Sequence, residues 1–267
     1  MGGRSRWTGR RFGAALRVAW AIATFAIVQL VVCGVAALPV VLLWRWLLGS
    51  GHGTGAGRLL VLGLAVFPSY VLFALALMAV SPCATRLLGW RTPRDVEMPI
   101  AEMGWLLLDW ARYMASIHVV RVVAGTLFRG SPVWTAYLRL CGARLGRRVY
   151  VASLSLSDYN LLEFDDGVVI GADAHLSGHT VEHGIVKTAG IRLGRGVVIG
   201  LGTVVEIGVE AGDGCQVGAL SFVPKHTRLR ARTVYVGVPV RPIGDCSAGV
   251  TGRGRFAASD ETGSPSG

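Results

Sequence analysis

The chain has 267 residues, 52% of them hydrophobic and only 16% charged. That composition excludes a disordered chain and is more apolar than an ordinary soluble domain. The formal net charge is +11, and residues 1–144 carry 15 arginines against 4 acids, while residues 145–243 carry 10 basic and 9 acidic groups. A basic excess confined to the apolar half points to a membrane surface and away from nucleic acid. The five cysteines (33, 83, 141, 215 and 246) are scattered and odd in number, which supports neither a disulfide framework nor a zinc knuckle.

In chain order, a basic N-terminal segment (1–17) precedes two apolar runs, 18–44 and 59–80. Each is long enough to cross a hydrocarbon layer as a helix, and the short Gly-rich connection between Arg45 and Arg58 suits a tight hairpin. The first run is too long for the apolar region of a cleaved signal peptide, and a second span follows it. The runs therefore predict a two-span hairpin over 18–80. Arg4, Arg6, Arg10, Arg11 and Arg17 lie before it, and Arg86, Arg91 and Arg94 after it. By the positive-inside rule both ends face the cytosol. The expected location is a multi-pass cytoplasmic (inner) membrane protein with its C-terminal domain in the cytosol.

Residues 81–100, with three prolines, read as a linker. Residues 101–143 are apolar again, but Asp109, Arg112 and Ser116 recur at helical spacing. They predict helices lying in the interface or against the following domain rather than a third span.

From residue 144 to 243 a period of six dominates. Leu193, Ile199, Val205, Ala211, Val217, Val223, Leu229 and Tyr235 occupy the same hexad position without a break. The fifth positions are small or β-branched from Val197 to Thr233. Upstream the register runs through Leu145 and Val151, fails at Ser157, and resumes one residue late at Phe164, Ile170 and Leu176. A six-residue period fits neither a helix nor an alternating strand; it predicts a parallel β-helix whose coils of three hexads stack into a triangular prism. Residues 181–192 lack the pattern and are expected to leave the prism as a loop. His179 precedes them at a prism corner. The tail, 244–267, is rich in Gly and Ser and is expected to be disordered.

The period, the loop and the histidine at its root resemble the hexapeptide-repeat acyltransferases. The segments YLRLCGARLGRRVYV (137–151), SDYNLLEF (157–164), HLSGHTVEHGIVKTAGIRLG (175–194) and SFVPKHT (221–227) look more narrowly like the C-terminal hexapeptide domains of membrane-bound nonribosomal peptide synthetases of the ε-poly-lysine synthetase type. The resemblance implies an all-β left-handed parallel β-helix behind a membrane α-helical hairpin. It implies His179 as general base, removing a proton from an amine or hydroxyl acceptor that attacks a thioester. It makes Asp158 and Glu182 candidates to orient the imidazole or hold the acceptor. Lys225 and Arg241 are candidates for the phosphates of a coenzyme A donor, and the amides near Gly200 and Gly202 for its pantetheine arm. A carrier-protein phosphopantetheine thioester is the alternative donor, and no metal is expected. Further implied partners are a second and third copy in a homotrimer, and a separate peptide synthetase or carrier protein, since neither adenylation nor carrier domain is present. The sequence departs from the family pattern at Asn160 and His183, where acidic residues are usual. A non-catalytic membrane-tethered scaffold is the alternative reading. A metal enzyme like the γ-class carbonic anhydrases would need His175, His179 and His183 as ligands, yet all three lie within nine residues of one another.

Overall fold

A computed structural model describes residues 3–49 and 55–245, with side chains from residue 13 onward. Helix α1 (Gly3–Gly49) and helix α2 (Ala56–Leu87) form an antiparallel hairpin. Both are long and apolar enough to cross a membrane. The basic N-terminal segment continues into α1 from Gly3. Most of the connection from Arg45 to Arg58 is helical too; its residues 50–54 lie outside the described residues. The indole N–H of Trp44 donates to Ser69 Oγ at 2.8 Å and sets the register of the pair. Val32, Ala36, Ala74, Leu77 and Met78 are buried along the seam. Much of the remaining apolar surface of the hairpin is uncovered, including Leu30, Leu42, Leu59 and Leu64.

The expected linker is shorter than the proline pattern indicates. Helix α2 runs through Pro82 to Leu87. A proline forfeits one backbone bond, and here buried packing on Leu77 and Met78, one turn earlier, holds the helix together. The connection then contains an extended strand, Glu97–Pro99.

Helix α3 (Trp105–Val120) lies against both hairpin helices and against the prism. Arg112 and Ser116 of its polar stripe are buried, while Asp109 stays partly exposed. Arg112 is 8% exposed, ion-paired with Asp109 at 2.6 Å. Its guanidinium stacks on Trp90 and Trp105 and donates to the carbonyl of Ala21 in α1. An arginine is planar and weakly hydrated enough for such a place. A π-helical turn, Arg121–Gly125, leads to the short α4 (Thr126–Phe128), and α5 (Pro132–Leu140) closes the base of the prism. Ser131 caps α5 by accepting from the Trp134 N–H, with Pro132 in the first turn. Trp134, Tyr137 and Leu138 turn inward and are fully buried.

The prism follows the hexads. Its three sides are parallel sheets, two residues per strand in most cases. Leu145, Phe164, Leu193, Ala211 and Leu229 stack on one side, and Val151, Ile170, Ile199, Val217 and Tyr235 on the second. Leu176, Val205 and Val223 stack on the third. Every one of these side chains except partly buried Leu145 is buried, so the core is a dry, predominantly aliphatic column. The break in the repeat is resolved by Leu156, which bridges to Leu176 in the place the period would give Ser157. The first coil is thus one residue short there, and a 3₁₀ turn, Tyr159–Leu161, takes up the chain before Phe164.

On the first side, outward residues form a ladder of alternating charge: Arg144, Glu163, Arg192, Glu210 and Arg228, with ion pairs of 3.2–3.6 Å. Parallel in-register stacking places each residue over its counterpart in the next coil, so alternation avoids like-charge contact. Arg94 of the connection also pairs with Glu163.

The expected loop at 181–192 is an ordered hairpin. His179–Glu182 pairs antiparallel with Ile185–Thr188, and Glu97–Pro99 adds a third strand. Its turn is His183–Gly184, both at positive φ. The hairpin alternates side-chain faces instead of following the hexad, with Val186 and Thr188 buried and their neighbours less so, which is why the period of six vanishes. The chain rejoins the prism at Ile191–Leu193. At the other end, Arg241–Asp245 folds back antiparallel on Thr233–Val236, so the expected disordered tail begins in a strand. Its remainder, residues 246–267, lies outside the described residues.

Candidate active site

The site grows from the irregular stretch after Leu156. Asp158 sits at φ 51, a left-handed backbone position that Asp tolerates better than most residues. This turns its carboxylate inward, where it is fully buried. The next coil brings Gly178 directly over it; a methyl group on Gly178 would lie 2.8 Å from Asp158 Cβ. Only glycine permits that approach, and it delivers the following residue, His179, onto the carboxylate.

His179 Nδ1 lies 2.5 Å from Asp158 Oδ2. Ser157 Oγ donates toward the same oxygen at 3.0 Å. Oδ1 accepts from Thr92 Oγ1 at 2.7 Å and from Trp110 Nε1 at 3.1 Å. A buried carboxylate with four donors around it is fully satisfied. Burial pushes the Asp158 carboxyl up, but the hydrogen bond and charge of His179, with the Thr92 and Trp110 donors, hold it below its ordinary value. It is therefore ionised and accepts only, so Nδ1 of His179 must carry the proton and Nε2 is left with the lone pair. Burial lowers the imidazole's proton affinity, and the bond to Asp158 and the charges of Asp158 and Glu206 outweigh it; the net shift is upward. Trp110 packs edge-on against the ring, centroids 5.0 Å apart. Ser177 Oγ donates to the His179 carbonyl at 2.7 Å and fixes the backbone beneath it. The histidine side chain retains 23% exposure.

Thr92 is itself held. Asn160 Nδ2 donates to its carbonyl at 2.8 Å, and Asn160 Oδ1 accepts from its N–H at 3.2 Å. A carboxylate at position 160 would have no donor for the first of these bonds. Pro93 restricts Thr92 to extended backbone.

The expected site residues do not all converge. His179 and Asp158 meet. Glu182 stands three residues along the hairpin strand from His179 and is ion-paired with Lys225. Lys225 follows Val223 on the same prism edge as His179, with its charge engaged by Glu182. Gly200 and Gly202 lie at the start of the third side, at its opposite edge. They serve the coil turn: a methyl group on Gly200 would lie 2.4 Å from the Ala219 backbone nitrogen, and Gly202 has φ +63. Arg241 is exposed on the terminal antiparallel strand. His175 and His183 join no ligand set: among the described residues no group of three His, Cys, Asp or Glu side chains is placed to hold a metal. Thr92, Trp110 and Glu206 were not marked by any motif; Ser157 and Ser177 fall inside segments that carry the resemblance without being singled out there for a role, and the hexad register fails at 157.

Fold and site together define a three-sided hexapeptide β-helix with a buried carboxylate–imidazole pair at one edge, docked on a helical hairpin. No family model matches the chain. A delta-poly-L-ornithine synthetase of Acinetobacter baumannii (strain AB307-0294) is 25% identical over 159 residues. That is 58% of this chain and 12% of the synthetase, so the chain spans only a small part of that relative's length. Among solved structures, a galactoside acetyltransferase in complex with coenzyme A is 21% identical, with a TM-score of 0.40 over 51% of this chain and 81% of that one. A maltose O-acetyltransferase from Clostridium difficile 630 is 18% identical, with a TM-score of 0.39 over 53% of this chain and 89% of that one. The chain is similar to the hexapeptide-repeat acyltransferases.

Proposed function

We propose that this protein is a membrane-anchored acyltransferase that moves an acyl or aminoacyl group from a thioester to an amine or hydroxyl. The observation that carries the reading is the Asp158–His179 pair, which leaves a basic Nε2 at a partly open prism edge. The acceptor's nitrogen or oxygen attacks the thioester carbonyl carbon while Nε2 takes its proton. The tetrahedral intermediate then collapses, the carbon–sulfur bond breaks, and the imidazolium returns the proton to the departing thiolate. Asp158 stays ionised throughout and stabilises the imidazolium.

The donor is a thioester on phosphopantetheine, as coenzyme A or on a carrier protein. The synthetase similarity favours an amine of an amino acid or peptide as acceptor, and a separate synthetase as partner. Helices α1 and α2 are the anchor, in the cytoplasmic membrane, and the flanking arginines favour a cytosolic prism. A homotrimer would set a neighbour's face across the His179 edge and complete an acceptor pocket. The test is transfer from labelled acyl donors, coenzyme A and carrier-bound, to amine acceptors by purified full-length protein. The reading expects turnover that His179→Ala reduces by orders of magnitude with the circular dichroism spectrum intact. Turnover unchanged in that variant overturns the assignment.

A further inference from the structure

The Tyr70 phenol of α2 donates to the carbonyl of Val123, in the π-helical turn Arg121–Gly125. Tyr70 lies fourteen residues from the start of α2 at Ala56. On the companion helix, Trp44 is level with Ser69, and α1 ends five residues later at Gly49. Along α2, Ala56 therefore lies about 21 Å beyond Tyr70, at 1.5 Å per residue. A hydrocarbon layer is about 30 Å thick. With Ala56 set at the far interface, about 9 Å of the layer lies on the prism side of Tyr70, where α2 packs against the π-helical turn.

Those residues are dressed for that depth. Val122 is 61% exposed and Leu127 37%. The arginines that bracket the turn are engaged by protein partners. Arg121 donates to the Leu154 carbonyl and contacts His118. Arg129 donates to the Ala152 carbonyl and pairs with Asp173 at 2.9 Å. In hydrocarbon every backbone group needs a partner within the protein, and the Tyr70 phenol supplies one to Val123 where the π-helical turn departs from regular helix.

We propose that residues 121–128 are a third membrane-contacting element, a helical turn immersed in the acyl chains of the prism-side leaflet without crossing it. The occupant of its exposed apolar face is lipid. This rests on the reading of α1 and α2 as spans.

The test is site-directed nitroxide labelling of full-length protein in phosphatidylcholine–phosphatidylglycerol vesicles, with Cys33, Cys83 and Cys246 replaced by serine. Labels at Val122→Cys and Leu127→Cys are compared with Leu64→Cys on the hairpin and Leu220→Cys on the prism for collision with oxygen and with a water-soluble nickel chelate. Positions 122 and 127 should favour oxygen severalfold over position 220. Chelate accessibility at 122 and 127 equal to that at 220, with 64 shielded, overturns the proposal and leaves the spans standing. Chelate accessibility at 64 as well overturns both.

Discussion

Asp158→Asn isolates the chemistry of the pair from its packing, because the side chains are nearly the same shape. The amide must satisfy the same surroundings: Thr92 Oγ1 and Trp110 Nε1 both donate, at 2.7 and 3.1 Å. Its oxygen is therefore drawn to them, and its NH₂ turns toward His179 Nδ1. Nδ1 then accepts, the imidazole proton moves to Nε2, and the lone pair that removes the acceptor's proton is gone. A positioned general base contributes about 10²–10⁴-fold to rate, and the variant should lose turnover in that range. The charge-assisted bond itself is worth about 1.5–3 kcal/mol of stability. The assay is transfer rate against pH. In the native protein the rate should rise with pH on a limb above 6.5, because His179's proton affinity is raised in the fold and only the neutral ring is a base. In the variant any residual limb should move downward, since burial, the largest single influence, then acts without the Asp158 charge. A rate within about threefold of native, under 1 kcal/mol in barrier, together with an unmoved limb, refutes the orienting role.

The remaining predictions use the same network. The folded value of His179 is raised, so its contribution to stability is whole below about 6.5 and declines as pH rises through the folded value; that of Asp158 is lowered, so its contribution is whole above about 3.9 and declines as pH falls. The pair's share of stability should thus be greatest between those limits, and Asp158→Asn should flatten the melting temperature against pH across its edges. Thr92→Val removes one donor from Oδ1 at constant shape; turnover should fall about tenfold, near 1.4 kcal/mol, with the pH limb shifted, and Thr92→Ser should restore both. Leu176→Ala, in the fully buried column, should cost about 2–5 kcal/mol in denaturant unfolding while leaving the limb in place. Glu182→Gln should leave the limb unmoved, because Glu182 pairs with Lys225 rather than with the imidazole; a shifted limb would return Glu182 to the site.

The prism was legible because its period has one cause. Each coil repeats the same inward contact, so Leu193, Ala211 and Leu229 must recur in phase for the column to fill, and the phase is written in the sequence. The hairpin helices were legible for a similar reason, through composition alone. Interruptions carry no such constraint. Pro82 reads as a stop in isolation, yet packing of α2 decides otherwise. The stretch 181–192 loses the hexad because it switches to the alternation of a two-stranded arm, and that arm is stabilised by Glu97–Pro99, nearly ninety residues earlier. No local pattern announces a partner so distant.

The site divides along the same line. His179 and Asp158 were both named through the family resemblance, Asp158 either to orient the imidazole or to hold the acceptor, and stacking of successive coils, a near-neighbour rule, brings the two together. Thr92 and Trp110 reach the carboxylate from the connection and from α3, outside the repeat, through contacts set only when the helices dock. Their residue types gave no sign: a tryptophan in an apolar helix reads as core, and its single N–H shows a role only once a buried acceptor stands in front of it. This asymmetry has a mechanistic consequence. The prism supplies the imidazole, but the two donors at the carboxylate's far oxygen belong to segments that pack on the hairpin, α3 through Arg112 on Ala21 and the connection through Arg17 on the carbonyls of Glu102 and Met103. A prism cut free of α1–α3 would keep its column and lose those donors, so the pair's proton affinity depends on the docked helices as well as on the repeat that holds it.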